Sequence, residues 1–419
     1  MSRAALIAML GALSIGVPVA AKEGAPHEIV IGASLPLTGP EAKAGARVRD
    51  GYEFAFAQAM DRGGVMIGSR RLPVRLKLVD DGTNRQRAAD LATELVEKEG
   101  VNFLLGSFST PIIESQSAAA EKLKVPYVTS SGSATSLYQR GFRYLFSVSA
   151  PISQLANAVM RWADEEERAG KLKKPLRVAL LWENTAHGKD VRIGVSSFVS
   201  STPAHRDSFQ LVLDESFELN AKDFTPLLKR VDAANADMLL VDAHLPDYIT
   251  MQRQYLAMGM CHKIISYGAR GPEKEARDAL PQGGTDYIVS AVWWDAQMAS
   301  NALSKAFVEA FTARYHRAPE WYEALAYEAV RALFVAIEKA GSLDRERVRD
   351  SLATLKMDSI LPTGYLAFPE QYGYQAQYLF VVQQNMPDGS SPLIYPRIAQ
   401  MQEGIASNPR CSAMSHALK

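Results

Sequence analysis

The sequence predicts an α/β protein made of two doubly wound parallel-sheet lobes. Three observations predict it. Short β-rich runs alternate with helix-periodic runs along the chain. The alternation falls into two sets, one before Pro151 and one after it. A length of 419 residues, 47% hydrophobic and 22% charged, suits two ordinary globular domains and excludes disordered and fibrous classes. Strands separated by helices of ordinary length pair in parallel, with the helices covering both sheet faces.

The first set opens with a β-rich run at 28–34 (EIVIGAS). A helix follows over 42–61, with Val48, Tyr52, Ala55, Phe56 and Ala59 on one face, and Gly63-Gly64 stops it. Residues 73–79 alternate apolar and polar as a strand does, and 86–98 carries the next helical stripe. A buried strand at 102–106, a helix at 111–122 and a strand at 125–129 complete the set. In the second set the reading gives helices at 152–167, 190–199, 224–234, 246–258, 300–315 and 321–340. Strands are expected at 177–182, 209–217, 238–242, 263–267 and 287–293, with further β-rich segments at 364–368 and 377–383.

Lys plus Arg equals Asp plus Glu, so the formal net charge is zero, which argues against nucleic-acid or membrane-surface binding. Arg3, the apolar run 4–17 and the small residues before Lys22 read as a signal peptide cleaved after Ala21. No cysteine near that point could carry a lipid, so a soluble mature protein is expected. Cys261 and Cys411 could pair in an oxidising compartment or remain two thiols. No Cys/His cluster has metal-ligand spacing, and no metal or cofactor is expected.

Ligands of open parallel sheets bind beyond the carboxyl ends of the strands. Two such ends are unusual here. Gly106-Ser107-Phe108-Ser109-Thr110-Pro111 joins a strand to a helix whose start can hold an anion, with Ser109 or Thr110 suited to the N-cap. Thr129-Ser130-Ser131-Gly132-Ser133-Ala134-Thr135 is again dense in hydroxyls, and Gly132 permits close backbone approach. One such loop reads as plain capping; two at adjacent strand ends point to a site.

Residues 29–38 (IVIGASLPLT), 77–82 (KLVDDG), 88–106 (AADLATELVEKEGVNFLLG), 125–134 (VPYVTSSGSA) and 223–259 resemble, in order and spacing, the branched-chain amino-acid-type periplasmic solute-binding proteins. The resemblance implies the type I periplasmic binding fold, with three hinge crossovers near 147–151, 291–296 and 360–363. It implies lobes of 27–148 plus 295–360 and of 149–294 plus 361–405. It also implies that Ser109, Thr110, Ser131, Gly132 and Ser133 hold a ligand carboxylate. His187 and His244 occupy the second-lobe positions that face the ligand. The segment around Gly268, where the family carries an acid for the ligand ammonium, reads Ser266-Tyr267-Gly268-Ala269-Arg270 and has none. Asp242 and Glu183 are alternative partners for an ammonium. Of Trp293 and Trp294, one can face the cleft while the other packs, since neighbours on a strand alternate sides, or both belong to core or hinge packing.

The implied function is non-enzymatic: a periplasmic monomer that captures a small carboxylate-bearing molecule, an amino acid, aromatic acid or amide, and hands it to an ABC transporter permease. Two competing readings are a periplasmic sensor of the same fold and a secreted hydrolase. Ser131-Gly132-Ser133 lacks the first glycine of a nucleophile elbow, and no zinc helix or P-loop occurs, so no catalytic residue is assigned.

Overall fold

The computed structural model describes residues 27–298 and 301–411. The expected leader over residues 1–21 and the expected helix start at Ser300 lie outside the described residues.

The first lobe runs β1 (Ile29–Leu35), α1 (Ala42–Asp61), β2 (Val65–Ile67), β3 (Arg70–Leu72), β4 (Val74–Asp80), α2 (Arg85–Glu97), β5 (Phe103–Leu105), α3 (Thr110–Lys122), β6 (Tyr127–Thr129), α4 (Thr135–Tyr138) and β7 (Leu145–Ser147). Its sheet has the order β4-β1-β5-β6-β7, parallel throughout. The second lobe begins α5 (Leu155–Arg168), β8 (Leu176–Glu183), α6 (Ala186–Ser200), α7 (Pro203–Ser208), β9 (Phe209–Phe217) and α8 (Thr225–Ala233). It continues β10 (Met238–Asp242), α9 (Leu245–Ala257), β11 (Ile264–Ser266), α10 (Lys274–Ala279) and β12 (Val289–Val292). The chain then forms α11 (Ala302–Tyr315), α12 (Trp321–Ala340) and α13 (Arg345–Ala353). Last come β13 (Lys356–Asp358), β14 (Tyr365–Ala367), β15 (Val381–Gln384) and β16 (Leu393–Tyr395).

The second sheet has the order β16-β15-β12-β11-β10-β8-β9. β9 to β12 are parallel, and β15 and β16 extend the edge in antiparallel fashion. Buried central strands such as β10, MLLVD, are apolar almost throughout because helices cover both their faces. Helix α12 is apolar on nearly every side, from Ala324 to Ile337, and is buried accordingly beside α1.

The expected crossovers run side by side. Trp293 Nε1 donates to Ala150 O at 2.9 Å, and Trp294 Nε1 donates to Ile360 O at 2.9 Å. Backbone hydrogen bonds also join Ser147 to Tyr374 and Ala376.

Some elements differ from the sequence expectation. The helix expected at 190–199 begins at Ala186, because Thr185 Oγ1 caps it by accepting from the His187 and Gly188 amides. The strand expected at 364–368 does not join the large sheet; β14 pairs with β13 as a separate hairpin. The β2–β3 hairpin, β7, α7, α10 and α13 were not anticipated, since the short ones carry too few residues to show a period. Cys261 and Cys411 form a disulfide, which resolves the open alternative in favour of pairing.

Candidate functional site

Strand order reverses beside β1 in the first sheet and beside β8 in the second. The loops after β1 and β5 therefore diverge, as do those after β8 and β10, and each pair leaves a crevice at the carboxyl ends. The two crevices face each other. Between them lies a cavity of about 30 Å³, bounded by Phe108, Thr110, Ser131, Gly132, His187, His244, Arg270, Trp293 and Trp321, among others. That is room for one or two water molecules, so the lobes are closed on one another.

The first-lobe wall is made of hydroxyls. Ser109 stands at the N-cap of α3, yet its side chain makes no capping hydrogen bond. Plain capping therefore does not account for it. Thr110 Oγ1 is buried without a hydrogen-bond partner, which is costly for a hydroxyl unless a ligand or water completes it. The second loop is braced from behind. Thr129 Oγ1 accepts from Ser131 N at 3.0 Å, the Tyr138 hydroxyl donates to Gly132 O at 2.7 Å, and Gln375 Nε2 donates to Ser133 O at 3.0 Å. Gly132 has φ +72°, and a Cβ there would sit 2.7 Å from Ile113 Cβ. Gly132→Ala should therefore cost about 1–3 kcal/mol of stability through left-handed strain and the clash. Urea unfolding checks this; an unchanged midpoint would contradict the account.

The second-lobe wall is cationic. His187 Nδ1 lies 2.9 Å from Asp242 Oδ2. Burial opposes its charge, but Asp242 and Glu183 outweigh that and raise its pKa above the usual value. His244 Nδ1 donates to Glu41 Oε1 at 2.5 Å, and its Nε2 lies 3.2 Å from Glu183 Oε2. Burial again works against the charge, yet Glu183 and Glu41 push the imidazolium up to about 10. Burial alone would raise the Glu41 carboxyl; His244 and Arg270 hold it below its ordinary range. Arg270 inserts among first-lobe rings, its guanidinium carbon 5.4 Å from the Phe108 centroid, 5.6 Å from Trp321 and 5.4 Å from Tyr322.

Further contacts fasten the lobes. Thr135 N and Oγ1 both donate to Asp190 Oδ2 at 3.0 Å, the Tyr322 hydroxyl donates to Glu273 Oε1 at 2.7 Å, and Arg47 lies 3.4 Å from Glu275.

The structure brings Ser109, Thr110, Ser131, Gly132, Ser133, His187, His244 and Trp293 to one cavity. Gly268 is not on its wall; it is half-buried at φ +58° in the turn that carries the chain from β11 to Arg270. The tryptophans divide as the strand alternation requires. Trp293 stacks near Trp321, centroids 4.7 Å apart, whereas Trp294 packs against Phe307. Asp242 and Glu183 are occupied by the histidines. With His187 they place ligating atoms within 4.8 Å of one another, but His187 already bonds Asp242 and Glu183 faces His244.

Sequence reasoning missed Glu41, Arg270 and Trp321. Glu41 meets a partner 203 residues away, so no local pattern marks it. Trp321 reads as the start of a helix. Arg270 could have been found as the residue standing in the segment that lacks the acid.

Comparison with known proteins agrees with this architecture. The family model described as periplasmic binding protein matches residues 28–390. The chain is similar to Leu/Ile/Val-binding protein homolog 7 of Brucella suis biovar 1, 23% identical over 403 residues, covering 94% of this chain and 97% of that one. It is also similar to the leucine-, isoleucine-, valine-, threonine- and alanine-binding protein of Pseudomonas aeruginosa, 24% identical, covering 83% of this chain and 87% of that one. Among solved structures it resembles a Streptococcus pneumoniae branched-chain amino acid transporter substrate-binding protein in complex with isoleucine. There the TM-score is 0.75 at 21% identity, covering 88% of this chain and 100% of that chain. A Rhodopseudomonas palustris ABC transporter solute-binding protein in complex with benzoate gives a TM-score of 0.72 at 20% identity, covering 88% of this chain and 95% of that chain.

Proposed function

The chain belongs to the periplasmic binding protein family, and from that premise we propose that it captures a small carboxylate between its lobes and delivers it to an ABC importer. The observation that carries the reading is the buried, unpartnered hydroxyl of Thr110 at the start of α3, beside the serine-rich loop. Amide groups at a helix start and flanking hydroxyls together complement a carboxylate. Ser109, Thr110, Ser131, Gly132 and Ser133 form its seat.

Ligand docks on this seat, and the second lobe swings over it about the crossovers. On this reading the lobes comprise 27–148 plus 295–360 and 149–294 plus 361–405. The leader over 1–21 carries the protein to the periplasm as a soluble monomer, where a permease reads its closed form. No helix among the described residues is long and apolar enough to cross a membrane.

The ligand lacks the α-ammonium of an amino acid. Arg270 stands in the segment where an acid would pair with it, and of the cleft carboxylates Asp242 lies against His187 while Glu41 and Glu183 share His244. An ammonium closed into this cleft would lie beside a guanidinium, an arrangement costly in a water-poor site.

A thermal-shift screen of small acids identifies a ligand, because binding to the native state raises apparent stability. Calorimetry on Thr110→Ala and Ser133→Ala then tests the seat. Loss of a donor to a charged group should cost about 1.5–3 kcal/mol, one to two orders of magnitude in Kd. Wild-type affinity in both variants would show that the carboxylate binds elsewhere.

A further inference from the structure

We propose that the ligand is a short dicarboxylic acid, with one carboxylate on the hydroxyl seat and the second held by the Arg270 guanidinium and His187. This rests on the carboxylate reading above and goes further by naming what occupies the opposite wall.

The two walls of the cavity differ in chemistry. One presents hydroxyls and a helix start; the other presents Arg270 and His187, with no carboxylate on the cavity wall itself. Arg270 is 8% exposed, so its charge is largely withdrawn from water. Among the described residues its side chain has one hydrogen-bond acceptor, Glu273 Oε1, 3.0 Å from Nη1. A guanidinium has five N–H donors in a fixed fork, so most of its capacity is unmet. The surrounding rings of Phe108, Trp321 and Tyr322 hold its plane without supplying acceptors. Glu273 neutralises it poorly, since burial pushes that carboxyl up to about 8 against the pull of Arg270. His187 is oriented by Asp242 through Nδ1, and its other ring nitrogen has no hydrogen-bond partner among the described residues. His244 differs, because Glu41 and Glu183 engage both its nitrogens.

A buried, under-coordinated guanidinium beside an oriented imidazole matches a carboxylate, which takes two parallel N–H donors from an arginine fork. A cavity of about 30 Å³ holds no dicarboxylate as it stands, so the lobes close less tightly over the ligand, and the bulk of Trp293 and Trp321 favours a short spacer between its acid groups.

The experiment is calorimetric titration of the whole mature protein with the series from malonate to adipate, and with monocarboxylates of matched length from propionate to caproate. Wild type, Arg270→Gln and Arg270→Lys are compared, with melting curves to confirm folding. The expected result is a dicarboxylate bound at least fiftyfold more tightly than its matched monocarboxylate. Arg270→Gln should abolish that preference, and Arg270→Lys should restore part of it. Monocarboxylates binding as tightly as dicarboxylates, or Arg270→Gln weakening both alike, would overturn the dicarboxylate assignment and leave the seat intact. No binding by any carboxylate of either series would overturn both readings. Should Arg270→Gln fail to fold, the wild-type and Arg270→Lys preferences decide the matter by the same criteria.

Discussion

Replacing His244 with leucine should weaken ligand capture by two to three orders of magnitude. In the closed protein the imidazolium lies between Glu41 and Glu183, which are 7% and 0% exposed. Removing one partner of a buried ion pair costs about 3–5 kcal/mol, because the other charge stays buried without compensation. Glu41 is on the first lobe and His244 on the second, so the penalty falls on closure and is read in affinity. Adding Glu41→Gln to His244→Leu should recover part of the loss, as expected of coupled neighbours. A Kd for His244→Leu within about twofold of wild type would contradict the clasp.

The same clasp gives a pH dependence whose sign follows from the raised pKa. His244 is pushed up to about 10 when the lobes are closed. Once the lobes part, Glu41 leaves and water returns, and the imidazole moves toward its ordinary value of about 6.5. A group raised in this way contributes fully below the lower value and loses its contribution as pH rises through the higher one. The His244 contribution to affinity should therefore be flat below about pH 6.5 and fall by up to tenfold per unit toward pH 10. Glu273, raised to about 8 by burial, adds a fall of the same sign at lower pH, from its ordinary carboxylate range up to about 8. His244→Leu should flatten the part of the profile above pH 8.

The second large effect concerns stability. Cys261→Ser with Cys411→Ser should lower the unfolding free energy by about 2–4 kcal/mol. The bridge closes a loop of 150 residues in sequence and fastens the C-terminal segment beside β11. There Asn408 N donates to Lys263 O at 2.9 Å, and Arg410 lies 2.6 Å from Asp286. Neither cysteine lines the cavity, so ligand affinity should hold while the urea midpoint falls. An unchanged midpoint would show that the segment is held by its hydrogen bonds alone.

The fold was legible where periodicity is long or strands are wholly apolar. Helices α1 and α12, and strands β9 and β10, have the bounds their patterns indicate. Short elements such as α10 were not legible, because six residues cannot establish a period. Of the site, the hydroxyl seat stood out because two serine-rich loops follow adjacent strands, and local sequence shows that. The cationic wall was only half visible. Resemblance marks His187 and His244, and the segment around Gly268 lacks an acid, but Arg270 beside it acquires meaning only once the closed lobes ring it with Phe108, Trp321 and Tyr322. Glu41 looked like any acid preceding a helix until folding set it against His244. Contacts made between lobes leave no trace in the spacing of either partner.

The central claim, a carboxylate site that excludes the α-ammonium, is tested most directly with ligand pairs that differ only in that group. Ligand-free protein is titrated calorimetrically with leucine beside 4-methylpentanoate, and with glutamate beside glutarate. The account predicts that in each pair the acid without the amino group binds more tightly, by at least tenfold where binding is measurable. Submicromolar affinity for leucine with none for 4-methylpentanoate would contradict it, and would make Asp242 or Glu183 the ammonium's partner.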